Sequence, residues 1–217
     1  MPSPPRAKRH PYDQWSPDAR ALDLVGDKWT LLIIRDLAGG PRRFVEIQRQ
    51  LPGISTEQLR TRLARMVADG LLTRARYREV PPRVDYELTE MSRALAPIIA
   101  AATTWGRSWV WGAPRDSESV DIGAIFRSAV GLATAGADGD IAAVVTDAGD
   151  SPRRYWLSAS GGLVGYSDAE HAAAATVSGT TADWIAALGP DGVRDRLKID
   201  GDWRLAGAVL DAIAAPT

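Results

Sequence analysis

Residues 55–88 constrain the fold more than any other stretch of the chain. Ser55 and Gln58 stand three residues apart, the spacing of a capping box at a helix N-terminus. The apolar residues that follow recur at helical intervals and define one buried face: Leu59, Leu63, Met66 and Val67. Residues 71–78 and 84–88 then alternate as two strands joined by a tip that contains two prolines. The pattern predicts a capped helix followed by a β-hairpin.

Three further helices are predicted upstream of this unit. The first begins at Ser16-Pro17, since serine is a good N-cap and proline suits the first helical position, and it ends at Gly26. The second covers residues 28–38, with Trp29, Leu32, Ile33 and Leu37 predicted to form its core face, and a short third helix surrounds Ile47. Residues 16–112 therefore predict a winged helix-turn-helix domain, preceded by a flexible basic tail over residues 1–15.

The predicted capped helix presents a polar outer face. Glu57 and Thr61 lie opposite Leu59, and the residues flanking them are Gln58, Arg60 and Arg65. Amide and guanidinium groups can read base edges, and hydroxyls can bind phosphates. The alternative is an ordinary solvated face, but the arginines of the following hairpin favour a DNA-binding function: Arg74, Arg76, Arg78 and Arg83.

A long apolar helix is predicted to follow Thr89. The apolar stripe of this helix is wider than a domain of this size can bury. We therefore expect its residues to form a dimer interface: Leu95, Ile98, Ile99, Ala102, Trp105 and Trp109. Pro97 stands inside the stripe and predicts a bend, since proline removes one backbone hydrogen bond.

Residues 16–109 resemble the HxlR family of bacterial winged-helix regulators. The similarity rests on residues 24–29, 40–44, 54–55 with 59 and 62–63, 69–72 and 86–89. It implies homodimers that place two recognition helices about 34–36 Å apart on an inverted-repeat operator. With the family's contact positions included, the predicted DNA-binding residues are Arg42, Arg43, Ser55, Thr56, Glu57, Gln58, Arg60, Thr61, Arg65, Arg76, Arg78 and Arg83. Many members carry a cysteine where this chain has Ser16, and the chain contains no cysteine.

The second half predicts a small α+β domain over residues 120–217, after a polar linker at 113–119. The predicted order is a helix over residues 120–133, four short strands, a helix that Thr180 or Thr181 could cap, a strand and a terminal helix. Residues 173–184 and 198–202 resemble the sterol carrier protein type two-like domain, which implies an apolar cavity between sheet and helices. The residues expected to bind a hydrophobic small molecule there are Phe126, Trp156, Tyr166, Trp184 and Trp203. The alternative is that these aromatic side chains simply fill a small core.

The two halves of the chain carry net charges of opposite sign. Residues 1–112 contain 18 lysines and arginines against 12 acidic residues, whereas residues 113–217 contain 8 against 15. A basic half suits a polyanion such as DNA, which the acidic half would repel.

No cofactor, metal, membrane or catalytic function is predicted. The two histidines lie apart, and the sequence shows no phosphate-binding loop and no nucleophile–base motif. We predict a sequence-specific repressor controlled by a hydrophobic effector. The alternatives are a regulator with a purely structural C-terminal domain, and a lipid carrier whose winged helix has lost DNA binding.

Overall fold

The computed structural model describes residues 11–77, 83–134 and 136–214. The chain forms two compact units, of which the first ends at Leu95 and the second begins at Ala96. This division precedes the long apolar helix, whereas the sequence places a linker at residues 113–119. Within the described residues no helix is both long and apolar enough to cross a membrane.

The first unit contains five helices and a small antiparallel sheet in its described part. Its elements are α1 (Pro17–Val25), α2 (Thr30–Leu37), β1 (Arg42–Arg43), α3 (Phe44–Gln50), α4 (Thr56–Ala68), β2 (Leu72–Tyr77), β3 (Arg83–Leu88) and α5 (Glu90–Arg93). The strand order is β1-β3-β2, with Arg42 opposite Tyr86 and Leu72 opposite Leu88. The α+β winged arrangement is the one that the sequence predicts for this half, apart from the two-residue strand β1.

The core of the first unit lies where α2, α3 and α4 present their apolar residues. Its fully buried members include Ile33, Ile47, Leu59, Leu63 and Met66. The predicted α2 face was wrong at one position, since Leu32 is 36% exposed and Ile34 is buried instead. Helix α2 begins at Thr30, whose backbone N–H donates to the Asp27 carboxylate at 3.1 Å, and its buried residues include Thr30, Ile33, Ile34 and Leu37.

The single long helix predicted after Thr89 is two helices. Helix α5 ends at Arg93, and α6 (Ala96–Trp109) begins one residue before Pro97. Proline lacks a backbone N–H and favours the first turn of a helix, where that donor needs no intrahelical partner. Pro97 therefore starts a new helix, and the bend predicted within one helix is corrected to a break between two.

The second unit adds three helices and a five-stranded sheet to α6. Its further elements are α7 (Ile122–Ser128), β4 (Gly139–Val145), β5 (Arg153–Ser160), β6 (Leu163–Ser167), β7 (Ala175–Gly179), α8 (Thr181–Leu188), β8 (Lys198–Gly201) and α9 (Trp203–Ala214). The strand order is β6-β5-β4-β7-β8, with β4 and β7 parallel and the other pairs antiparallel. This helix, four-strand, helix, strand and helix order follows the predicted one.

Helix α7 is shorter than the predicted segment 120–133. It ends at Ser128, and Gly131 adopts a φ of +85° that a side chain would disfavour. The backbone N–H of Gly131 donates to the Val164 carbonyl at 2.8 Å, and Val164 donates back to Leu132 at 2.8 Å. Pairing with β6 therefore takes residues 131–134 away from the helix.

Apolar residues from the sheet, α7, α8 and α9 form one core in the second unit. Its fully buried members include Phe126, Ile141, Leu157, Trp184 and Val209. The Trp184 indole donates to the Val144 carbonyl at 3.0 Å, so its one polar group is satisfied inside the core.

Candidate nucleic-acid interface

Helices α3 and α4 form a helix-turn-helix in which the second helix has a complete N-terminal cap. The Ser55 hydroxyl accepts the Gln58 backbone N–H at 3.2 Å, and the Gln58 side chain accepts the Ser55 N–H at 3.1 Å. The Gln48 amide donates to the Thr56 hydroxyl at 2.7 Å, which links α3 to the first turn of α4. These bonds fix the start of α4, where a recognition helix meets base edges.

The first two turns of α4 present an exposed polar surface. The exposed side chains are those of Thr56, Glu57, Gln58, Arg60 and Thr61. Glu57 and Arg60 form an exposed ion pair at 2.6 Å, which exchanges easily in solvent. Arg65 is half-buried and lies 3.6 Å from the Asp69 carboxylate, so it is turned toward the C-terminal end of the helix.

An ion pair that sequence reasoning missed joins α4 to the loop before α2. Arg62 lies 3.0 Å from Asp27, and the same aspartate accepts the backbone N–H groups of Trp29 and Thr30. Asp27 thus caps α2 and holds α4. The spacing of Asp27 to Thr30 is a capping signal in the sequence, but nothing local points to Arg62 as its partner.

The described part of the hairpin presents two arginines on one face. Arg74 and Arg76 stand two residues apart on β2, where side chains of alternate residues share a face, and both are exposed. Arg83 differs, because its guanidinium binds the buried Asp85 carboxylate through Nε at 2.8 and 2.9 Å and through Nη2 at 2.6 Å. Its charge is largely balanced within the hairpin. The predicted contact Arg78 lies outside the described residues.

The two arginines before α3 are held differently. Arg42 donates through Nε to the Asp36 carbonyl at the end of α2, at 2.7 Å. Arg43 is exposed, and its backbone N–H donates to the Glu46 carboxylate at 2.7 Å at the start of α3. Arg43 is therefore the better placed of the two to reach a phosphate.

The residues predicted to form a dimer interface are spread over the outer face of α6 and the residue before it. Trp105 is 59% and Trp109 75% exposed, Ile98 and Ala102 are also exposed, and Leu95 and Ile99 are half-buried. The opposite face of α6 packs inside the second unit, where Ala100 joins the core and Thr103 donates to the Ser128 carbonyl at 3.2 Å. Among the described residues, the inner face of α6 is covered, whereas the apolar residues of its outer face stay largely exposed.

The five aromatic residues predicted to bind a ligand are not gathered around one point. Phe126 and Trp184 meet edge to face in the core, with ring centroids 5.2 Å apart. Trp156 is buried and donates to the His171 carbonyl at 3.0 Å. Trp203 is 66% exposed and lies against the Arg204 guanidinium.

Tyr166 belongs to a polar cluster on one side of the sheet. Its hydroxyl donates to Asp168 at 2.6 Å, and its ring faces the Arg127 guanidinium at 5.9 Å. Burial and the Asp168 charge raise the pKa of Tyr166 above its usual range, so it remains a neutral donor. Arg127 is buried and bound to Asp121 at 2.5 Å.

Comparison with known proteins assigns the first half of the chain. The HxlR-like helix-turn-helix family matches residues 24–113. The HTH-type transcriptional regulator YybR of Bacillus subtilis (strain 168) is 36% identical over 99 residues, which are 46% of this chain and 79% of that protein. The regulator sll1512 of Synechocystis is 37% identical over 94 residues, 43% of this chain and 70% of that protein.

Among solved structures, the redox regulator HypR in its reduced form is 39% identical, covering 43% of this chain and 92% of its own, with a TM-score of 0.41. Each of these matches covers less than half of this chain. The protein belongs to the HxlR-like helix-turn-helix family of transcriptional regulators.

Proposed function

We propose that the protein is a sequence-specific repressor that binds an inverted-repeat operator as a homodimer. The observation that carries this is the exposed first half of α4, where Thr56, Arg60 and Thr61 stand beyond a fully satisfied cap. A rigid helix start with exposed hydroxyl and guanidinium groups suits direct readout in the major groove. A dimer on a promoter would exclude other proteins from the same duplex.

The hairpin and Arg43 supply the accompanying backbone contacts in this proposal. Arg74 and Arg76 share an exposed face, and exposed guanidinium groups are well suited to phosphate. Phosphate contacts carry no sequence information, but they contribute affinity that falls as salt rises.

The dimer is proposed to form through the outer face of α6. Two exposed tryptophans, Trp105 and Trp109, lie one helical turn apart on that face beside Ile98 and Ala102. Aromatic residues of this size dominate interface energies when they become buried.

The second unit is proposed to hold a hydrophobic effector, in line with its sequence resemblance to sterol carrier protein type two-like domains. For such a ligand to regulate, its affinity must differ between the DNA-binding and the released conformations. The competing proposal, a purely structural second unit, draws support from Phe126 and Trp184, which fill the core against each other. Thiol-based sensing is excluded for this chain because it has no cysteine.

The test of DNA recognition is selection of duplexes from a random library by the full-length protein. We expect an inverted repeat with half-sites about 10 bp apart, centre to centre. Arg60→Ala or Thr61→Ala should change the selected sequence. Arg76→Ala should weaken binding to all duplexes and lower the slope of log K against log salt by about 0.9.

The matched control for the selection is Arg204→Ala, which removes an exposed arginine from α9. This variant should keep both the sequence preference and the salt slope of the wild-type protein. If the wild-type protein enriches no sequence from the library, the assignment of sequence-specific recognition is wrong. If Arg204→Ala weakens DNA binding as much as Arg76→Ala does, the assignment of Arg76 to phosphate contacts is wrong.

A further inference from the structure

The two edges of the five-stranded sheet in the second unit differ. Residues 131–134 lie along the outer side of β6 and form backbone hydrogen bonds with Val164 and Gly162. Beyond β8, at the other edge, no further strand pairs with the sheet among the described residues, and all four residues of β8 are exposed. Strand β8 therefore leaves one side of its backbone open to pairing with another strand.

The open side of β8 presents the backbone N–H and C=O groups of Ile199. The register between β7 and β8 is unbroken from Lys198 to Gly201, and the Asp202 N–H donates to the Ala174 carbonyl of the β7 side at 3.0 Å. The backbone groups of alternate residues in a strand point to the same side. Ile199 stands three residues before Asp202, so its backbone groups point away from β7 and towards the open edge.

The side chains of β8 are complementary to those of a second copy of the same strand. Lys198 and Asp200 share one face and form an ion pair at 3.2 Å, with 74% and 60% of their side chains exposed. Ile199 between them is 38% exposed. An antiparallel pair of two β8 strands centred on Ile199 places each Lys198 opposite Asp200 of the other copy, and the two isoleucines opposite each other.

Charged side chains on an edge strand commonly oppose its association with other strands. The order Lys198, Ile199, Asp200 has the opposite effect for one partner, because the antiparallel copy of this strand meets each charge with its counterpart. The two ion pairs would occupy positions without backbone hydrogen bonds between the strands, where facing side chains lie closest.

We propose that β8 pairs antiparallel with β8 of a second copy of this chain, centred on Ile199, so that the sheets of two second units become continuous. Four residues from each copy bury far less than the area of about 1,200–2,000 Å² typical of a stable interface. The contact therefore adds to the proposed α6 association and does not replace it. Two separate two-fold contacts on one chain join two dimers into a tetramer. That consequence rests on the proposed α6 dimer, whereas the pairing of β8 does not.

The chain has no cysteine, so introduced cysteines can trap the proposed pair in the full-length protein. Residues 198 and 200 of paired copies would have Cα atoms about 4.5 Å apart, within the range of about 4.4–6.8 Å that a disulfide spans. A mixture of Lys198→Cys and Asp200→Cys proteins should therefore form a disulfide-linked dimer when oxidised with diamide. Non-reducing electrophoresis and mass spectrometry of the linked peptide measure this product.

Each cysteine variant alone is the control for register. Two copies of residue 198 would stand roughly 8 Å apart, beyond the reach of a disulfide, and the same holds for residue 200. Asp191→Cys removes a carboxylate from an exposed loop and should not link to Lys198→Cys. The proposal is overturned if the mixture forms no link, or if either variant alone or the Asp191→Cys mixture links equally well.

Charge reversal tests whether the two ion pairs stabilise the contact. Ile199→Cys places a cysteine at the centre of the proposed pair, so the rate of its oxidation to a linked dimer reports association. In that background Lys198→Asp or Asp200→Lys alone brings like charges together and should lower the rate about 2- to 30-fold. An equal mixture of the two reversed proteins restores opposite charges and should recover most of the rate. A mixture that links no faster than either reversed protein alone would contradict the proposal.

Duplex selection separates this proposal from the proposed function. A protein that forms the register-specific disulfide but enriches no DNA sequence supports the β8 contact and contradicts the repressor. A protein that enriches an inverted repeat but forms no disulfide supports the repressor and contradicts the β8 contact. Lys198→Asp should enrich the same sequence as the wild type, because β8 is not part of the candidate nucleic-acid interface.

Discussion

Carboxylate side chains cap the N-termini of several helices. Helix α8 has two of them: Asp183 accepts the Thr180 backbone N–H at 2.9 Å and its hydroxyl at 2.7 Å, while Asp147 accepts the Thr181 N–H at 2.8 Å. Donors from Thr180 lower the pKa of Asp183, and donors from Thr181 lower the pKa of Asp147. Both side chains therefore stabilise the fold in their charged form.

Asp183→Ala should lower the melting temperature at neutral pH. A carboxylate whose folded pKa is depressed contributes stability above its unfolded pKa, and that contribution disappears as the pH falls through the folded value. The unfolded reference for Asp183 is 3.8, so the difference between variant and wild type should narrow below that pH. Thermal melts followed by circular dichroism at pH 7, 5 and 3 measure it.

Asp191→Ala serves as the control, since it removes an exposed loop carboxylate that caps no helix. Its melting temperature should stay close to that of the wild type at pH 7. A deficit for Asp183→Ala that is unchanged or larger at pH 3 would contradict the capping argument.

The contacts that the sequence predicts join residues that are close together along the chain, and the contacts that it does not predict join residues that are far apart along it. The reciprocal bonds of Ser55 and Gln58 follow from a three-residue spacing that a reader of the sequence can see. The pairing of Arg62 with Asp27 spans 35 residues, and no spacing rule connects them.

At the scale of elements, helix ends depend on what the next segment does. The start of α8 at Thr181 follows from its Thr180 cap, one of the two adjacent threonines that the sequence offers for this role. The end of α7 depends on residues 131–134 pairing with β6, which lies some thirty residues further on. Periodicity in residues 120–133 suits a longer helix, and tertiary hydrogen bonds override it.

Helix α6 is the element with the clearest consequence for assembly. Trp105→Ser should raise the dissociation constant of the proposed dimer by about 30-fold or more, since truncating a central interface tryptophan costs about 2 kcal/mol. Sedimentation velocity over a concentration series measures this constant directly. The side chain is exposed within one chain, so the substitution should leave the fold intact.

Trp203→Ser is the matched control for the interface. It removes a comparably exposed tryptophan from α9, outside the proposed interface, and should leave association unchanged. A wild-type protein that sediments as a monomer at every concentration, or equal dissociation by both variants, would contradict the α6 dimer.

Considered as a whole molecule, the chain joins two units that have separate cores. The first core centres on α3 and α4, and the second on a five-stranded sheet with its helices. Two domains that each bury their own apolar residues need not unfold in one step. The net charge of the chain is only −1, because the positive net charge of the first half and the negative net charge of the second half nearly cancel.

Differential scanning calorimetry should show two transitions that respond to different substitutions. Leu59→Ala removes a fully buried side chain from the first core and should lower one transition only. Phe126→Ala does the same in the second core and should lower the other. Each costs about 2–5 kcal/mol in the unit that contains it. A single transition that moves equally with either variant would show that the two units unfold together.

The position of α6 bears on how this protein can be recombined with its relatives. The family similarity extends to residue 113, and within it Thr103 of the helix at 96–109 and Trp111 just after that helix donate to α7 and α8, which lie beyond the matched residues. If a chimera takes this helix from a shorter relative, the side chains of its inner face will not have evolved to pack on α7 and α8. The junction of such a chimera should therefore lie before Ala96, so that the helix is transferred together with the second unit and not with the winged helix.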